Sequence, residues 1–334
     1  MELIRKRAYA RAGLVGNPSD GYGGKTIAHI IKNFSASVVL YEWEDLEIVP
    51  SQEDHSRFGS MEELVQDVEL HGYYGGVRLV KATIKRFYEY CDGRHELRRR
   101  NFSIRYESSI PRLVGLAGSS AIIVATLRAL MEFFRVEIPK QVQPSLALSV
   151  ETDELGIAAG LQDRVIQVYE GLVYMDFSPE AVAVREGLAC GRYEELDPQW
   201  LPPVYVAFRE DASEPTERLH NDLKSRFARG DKDVVEAMAN FARLTEDARQ
   251  AILARDATEL ARLINENFDT RRKICELAAD HIEMVERARE AGASAKFAGS
   301  GGAIVGTYTD AAMFDRLQTH LRPLGCRVIQ PLIL

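Results

Sequence analysis

Apolar and polar positions alternate strictly over residues 102–107, where Phe102, Ile104 and Tyr106 share one face, and this pattern predicts a strand. Residues 122–134 then form an apolar run with no Gly or Pro, long enough for a buried helix. Upstream, residues 9–15 and 35–43 read as strands, with a glycine-rich loop and a short helix over 26–33 between them, and 46–49 extends a hairpin. Residues 61–90 read as largely helical with an interruption near 72–76. Residues 143–159 read as a helix with Pro144 in its first turn. Residues 165–169 and 172–177 read as two strands joined by a tight turn at Glu170-Gly171.

Pro179, Pro198, Pro202 and Pro203 gather among charged residues, and the pattern predicts a boundary between 177 and 203. Beyond it, 204–208 reads as a strand, followed by helical stretches over 214–228, 233–255 and 257–291. The end returns to strands over 295–298, 303–308 and 327–332, with a helix among them. Helices segregated from strands in this half predict an α+β fold rather than regular βαβ winding. We therefore expect two domains, residues 1–185 and residues 186–334, and 334 residues suffice for two cores.

Composition narrows the function class. A hydrophobic share of 46% and a charged share of 28% are those of a globular chain. A net charge of −8 argues against nucleic acid as the main partner, while a local Arg cluster still allows a small anionic ligand. Cys91, Cys190, Cys275 and Cys326 lack paired spacing, which suits free thiols in a reducing compartment. The seven histidines have no metal-ligand spacing. Residues 1–7 carry no apolar signal core and no segment approaches a membrane span, so a cytoplasmic protein without a membrane partner is expected.

Three glycine-rich loops carry the candidate chemistry. Gly115, Leu116, Ala117, Gly118, Ser119 and Ser120 stand where a loop enters the helix predicted from residue 122. Unpaired N–H groups, a positive helix dipole and small side chains make such a junction a phosphate cradle. As a purely structural object, Gly-Ser-Ser before a helix is also an ordinary N-cap. Residues 16–26 invite a P-loop reading, with Asp176 at the end of an apolar strand as a magnesium ligand, but that motif needs glycine at position 19, where this chain has Ser19. A glycine-rich turn is the plainer alternative. The third loop, residues 296–303 with Gly299, Ser300 and Gly301, has more glycine than a hairpin turn requires, as though another backbone or a phosphate packed against it. Gly160-Leu161-Gln162-Asp163-Arg164 places Asp163 at an element junction, where side chains commonly face a cleft.

The order of these loops resembles the GHMP kinase superfamily, named for galactokinase, homoserine kinase, mevalonate kinase and phosphomevalonate kinase. Its central motif, Pro-x-x-x-Gly-Leu-Gly-Ser-Ser-Ala, is matched by Pro111 through Ala121, with Ala117 at the expected glycine and one residue more than the simplest form. The first motif resembles that of galactokinases, with Arg11, Gly16 and Asp20 at matching spacing and Asn17-Pro18 in place of Glu-His. Residues 115–123, 159–165 and 267–272 are most similar to the glucuronokinase family, and the likeness runs from about residue 7 to residue 308.

The resemblance implies a two-domain fold, an N-terminal ribosomal-protein-like α/β domain followed by a C-terminal ferredoxin-like α+β domain. It implies an enzyme that moves the γ-phosphoryl of ATP onto the anomeric hydroxyl of a small-molecule sugar, a uronic acid in first place, with Mg2+ as cofactor. Ser120 and Glu151 would hold the metal, with Ser119 as a neighbour; Asp163 would be the base, with Arg11 beside it. Asp20 would accept hydrogen bonds from sugar hydroxyls, and Gly299, Ser300 and Gly301 would close the cleft. A substrate carboxylate needs a fixed cation, for which Arg164, Arg271 and Arg272 are candidates. A neutral hexose, fucose or a phosphorylated heptose are alternative acceptors, and a non-catalytic sugar and ATP sensor is the alternative of another class. The chain is expected as a monomer or homodimer.

Overall fold

The computed structural model describes residues 3–50, 75–97, 100–209 and 217–334. The chain opens with a long antiparallel pair, β1 (Leu3–Val15) and β2 (Lys25–Glu42), followed by the short β3 (Glu47–Val49) and α1 (Gly76–Cys91). Next come β4 (Phe102–Ser108), α2 (Gly118–Phe134), α3 (Gln143–Ser149), α4 (Gln162–Tyr169), β5 (Leu172–Asp176), β6 (Ala183–Arg185), β7 (Leu188–Cys190) and β8 (Arg192–Leu196). The second half contains β9 (Val204–Arg209), α5 (Glu217–Ala228), α6 (Lys232–Ala254), α7 (Ala257–Ile274) and α8 (Ala279–Glu290). It ends with β10 (Lys296–Phe297), β11 (Ala303–Thr307), α9 (Ala311–Leu321) and β12 (Cys326–Ile329).

The first sheet runs β3-β4-β2-β5-β8, with β1 on β2; the second runs β10-β11-β9-β12, all antiparallel. The first sheet thus extends to Leu196, and the chain changes sheets between residues 196 and 204. Helix α2 is apolar nearly all round, which suits its place in the main core against β1 and β2, with α1 on its other flank. A second cluster, including Tyr205, Phe268, Met284, Phe297 and Leu317, fills the space between the second sheet and α7, α8 and α9. Among the described residues no helix is long and apolar enough to cross a membrane.

Several expected elements change type. Residues 26–33 belong to β2 rather than to a short helix. Thr26, Ile27, Ala28, His29, Ile30 and Ile31 are all buried, so both faces of the strand are covered and the alternation that marks a strand disappears. Residues 165–169 lie in α4, because the β-branched Val165 and Ile166 pack into an apolar cluster from a helix. The helix expected over 143–159 is regular only to Ser149 and then widens into a π-helical turn, Val150–Glu154. The stretch 257–291 is two helices, broken after Ile274. The helix expected over 61–90 is described from Gly76 only, residues 61–74 lying outside the described residues.

Candidate active site

Helix α2 begins in a loop forced through the left-handed region: Leu113, Gly115 and Ala117 have φ of 59°, 73° and 65°. Ala117 there costs on the order of 1 kcal/mol relative to glycine. Its carbonyl is held from three sides, by Gln167 Nε2 at 2.9 Å, Ser120 Oγ at 3.2 Å and the Ala121 N–H at 3.2 Å. Such over-determination lets the strained turn persist. The N–H groups of the first helical turn then face the partly exposed segment 117–119.

The two serines divide their tasks differently from the expectation. Ser120 is fully buried and its hydroxyl is spent on the Ala117 carbonyl. Ser119 instead donates to Glu151 Oε1 at 3.0 Å. Glu151 is 2% exposed and comes from the π-helical turn, whose extra residue turns this acid toward the start of α2. A hydroxyl and a carboxylate are hard oxygen donors, and Mg2+ commonly takes one or two protein oxygens together with substrate phosphates. The Ser119–Glu151 pair fits that ion, while the Ser120 hydroxyl is bonded to the Ala117 carbonyl. No group of three or more His, Cys, Asp or Glu side chains among the described residues could hold a metal.

Asp163 sits in the first turn of α4, and Arg11 reaches it from β1 with Nε 2.6 Å from Oδ1. The same guanidinium donates through Nη1 to the carbonyls of Gly115 at 2.6 Å and Ala298 at 3.2 Å. One planar cation therefore ties Asp163, the 115–120 loop and the third loop together, which a lysine has too few fixed donors to do. Arg164, next in the chain, turns away from Asp163 Oδ1: it contacts Glu151 Oε2 through Nη2 and the Gly160 carbonyl at 2.8 Å through Nη1. Burial, then repulsion from Arg11, lowers the Arg164 guanidinium from its usual value, against the pull of Asp20.

Asp20, in the 3-10 turn Ser19–Tyr22, accepts the Gln162 N–H at 3.3 Å. Its carboxyl is pushed up to about 6, first by burial and then by the charge of Asp163, against the pull of the Gln162 N–H, Arg11 and Arg164. Gly160 packs close beside it: a Cβ there would lie 2.0 Å from Asp20 Oδ2, so the carboxylate would have to move. Tyr22 closes this side: burial pushes its hydroxyl up to about 12, with Asp20 and Cys275 adding to the rise and Arg271 opposing it.

The third loop packs directly on the second. A Cβ at Gly299 would fall 2.2 Å from the Gly115 carbonyl, so the excess glycine serves the approach of another backbone. Arg271 braces it from α7, donating to the carbonyls of Gly299 at 2.7 Å and Ser300 at 3.1 Å. Gly301 lies against His281 of α8. Arg272 points outward, half-exposed, and pairs with Glu286 at 2.9 Å. The P-loop reading fails on topology, since the loop leads into β2 rather than a helix and Lys25 pairs with Glu246 and Asp176.

Sequence reading placed Asn267 and Lys296 in family-like stretches but did not foresee that they join the halves. Asn267 Oδ1 accepts the Gly16 N–H at 2.6 Å and its amide donates to the Asn17 carbonyl at 3.2 Å. Buried Lys296 donates to the carbonyls of Gly13 at 2.6 Å and Phe297 at 2.8 Å, and to Asn17 Oδ1. Burial, Arg271 and Arg11 hold that ammonium well below its ordinary value. Asn267 and Lys296 lie 250 and 279 residues along the chain from Asn17, so no local pattern signals them.

Residues 78–171 match the family description "GHMP kinases N terminal domain". The chain is 45% identical to glucuronokinase 1 of Arabidopsis thaliana over 90% of this chain and 84% of that one. It is 44% identical to the probable glucuronokinase 2 of the same plant, over 91% and 84%. The fold superposes on Lactococcus lactis galactokinase complexed with galactose with a TM-score of 0.76, at 16% identity, over 99% of this chain and 94% of that one.

Proposed function

The chain belongs to the GHMP kinase family and is a sugar kinase, a phosphotransferase with an alcohol acceptor, and from that premise we propose that it phosphorylates the anomeric hydroxyl of D-glucuronate with ATP. The observation that carries the reading is the Arg11–Asp163 pair, lodged between the start of α2 and the Asp20 carboxyl. A base within reach of both a phosphate cradle and an acceptor of sugar hydroxyls suits transfer to a sugar oxygen.

In this scheme the backbone N–H groups around Gly118 and Ser119 hold the phosphates of ATP at the positive end of α2. Ser119 and Glu151 would hold Mg2+, which when bound neutralises charge on those phosphates. Asp163, fixed through Oδ1 by Arg11, takes the proton of the sugar O1 on Oδ2. The new bond joins O1 to the γ-phosphorus as the bond to the bridging oxygen of ADP breaks. Asp20 orients the sugar by accepting from its hydroxyls, and Gly299 packs closely on the Gly115 carbonyl at the edge of the site.

For a uronate carboxylate the field comes from Arg164 and Arg271, which act on Asp20 and Tyr22 respectively. Arg272, paired on the surface with Glu286, does not serve. A coupled ADP-release assay over D-glucuronate, D-galacturonate, D-glucose, D-galactose, L-fucose and a heptose 7-phosphate tests the proposal. The expected result is a kcat/KM for D-glucuronate on the order of 100-fold above any neutral hexose, the discrimination expected when a buried charge must be matched. Equal or better turnover of a neutral hexose would overturn the uronate assignment. Tight sugar binding without ADP release would favour a sensor instead.

A further inference from the structure

Glu151 and Arg164 are 2% and 3% exposed, so both charges are held away from bulk water. A carboxylate removed from water this completely is costly unless a cation faces it. Arg164 supplies that cation through Nη2 on Oε2, leaving Oε1 to the Ser119 hydroxyl. The guanidinium is not fully committed: among the described residues Nε has no hydrogen-bond partner, and Nη1, bonded to the Gly160 carbonyl, lies 3.6 Å from Asp163 Oδ2. One arginine therefore stands between the carboxylate of the metal pair and the base.

We propose that Arg164 is the internal counter-ion of Glu151 in the metal-free enzyme, and that a divalent cation arriving at Ser119 and Glu151 displaces it toward Asp163. Two cations on one buried carboxylate repel each other at short range, so the mobile one yields. The nearest anionic acceptor for the released N–H is Asp163 Oδ2, less than about 1 Å beyond hydrogen-bond distance. Metal loading then adds a second guanidinium contact to the base: Asp163 is held by Arg11 on Oδ1 and by Arg164 on one lone pair of Oδ2, the other lone pair of Oδ2 remaining for the sugar O1 proton. Arg164 is in this account a positioning residue. It holds the Glu151 carboxylate in place before the metal comes, and it ties the orientation of the base to metal occupancy.

The proposal rests on the kinase reading only for the location of the metal pair, and its test needs neither sugar nor nucleotide. Thermal unfolding of the full chain is followed in EDTA and in millimolar Mn2+, for wild type, Arg164→Met, Glu151→Gln and the double variant. Arg164→Met is expected to lose about 5 °C in EDTA, because it leaves a buried carboxylate unpaired, and to regain most of it in Mn2+. Glu151→Gln should also lose stability, without any Mn2+ recovery. The double variant should lie closer to wild type than either single variant and ignore Mn2+. A loss in Arg164→Met that Mn2+ does not restore, or losses that simply add in the double variant, would overturn the proposal.

Should Arg164→Met not fold, Arg164→Lys decides the matter by electron paramagnetic resonance titration of Mn2+. The single ammonium competes less well for Oε2, so Mn2+ should bind about tenfold more tightly than to wild type, and unchanged affinity would refute the displacement. A wrong sugar assignment leaves all these curves unaltered. A misplaced metal pair removes the Mn2+ response while glucuronate turnover persists.

Discussion

Replacing Asp20 by Asn should make the protein more stable at neutral pH while weakening its hold on the sugar. The carboxyl is raised from 3.8 to about 6, chiefly by burial and then by Asp163. Below about pH 3.8 the group is neutral in both folded and unfolded chains and no penalty exists. As pH rises, the unfolded chain releases its proton first, and folding is progressively penalised until the folded carboxyl also ionises near pH 6. The displacement is about two pH units, worth about 1.4 kcal/mol each, or about 3 kcal/mol. One flank of the side chain remains open to solvent, which reduces the expected gain to about 2 kcal/mol. The amide keeps the shape and an oxygen for the Gln162 N–H, so the substitution removes the charge with little change in packing. Urea unfolding of both proteins at pH 4.5 and pH 7.5 measures the difference. Asp20→Asn should gain about 2 kcal/mol at pH 7.5 and distinctly less at pH 4.5, with a raised KM for sugar. Equal stability at pH 7.5, or a gain that does not shrink in acid, would refute the reasoning. An acid held against its own preference for water is what a site poised for a polar ligand looks like, so the stability gain and the binding loss should occur together.

Three further outcomes follow from the same contacts. Asp163→Asn should lower kcat by about three orders of magnitude with ATP binding retained, read by single-turnover assay and nucleotide titration, because the amide cannot accept the proton. Gly299→Ala forces a Cβ to within 2.2 Å of the Gly115 carbonyl and 2.9 Å of Arg11 Nη1, and is expected to cost about 2 kcal/mol in unfolding experiments and at least tenfold in kcat/KM. Ala117→Gly relieves the left-handed strain at φ 65°, so calorimetry should show a gain of about 0.5–1 kcal/mol with turnover nearly unchanged.

Much of the site was legible in the sequence, and for local reasons. Glycine at 115, 299 and 301, and paired serines before an apolar run, are backbone requirements that a chain must meet residue by residue, so they mark their loops wherever those loops end up. The same local reasoning failed at residues 26–33 and 165–169, where burial on all sides erased the periodicity that separates helix from strand. It also could not separate neighbours: Ser119, not Ser120, bonds Glu151, and Arg271 lies under the third loop while Arg272 faces outward. Adjacent residues on a helix point about 100° apart, and only packing decides which faces the cleft.

The chain on its own thus determined which loops must let another backbone or an anion approach closely, which acid stands at an element junction, and which family of folds brings them together. Those properties reside in short stretches whose backbone geometry and side-chain chemistry are set by neighbours in sequence. Only the tertiary structure decided who else stands beside whom: Arg164 on Glu151, Arg271 under the third loop, and Asn267 and Lys296 around Gly16 and Asn17. Each of these buried polar groups needs a partner to offset its lost hydration, and folding supplies that partner from a distant part of the chain in all but one of them.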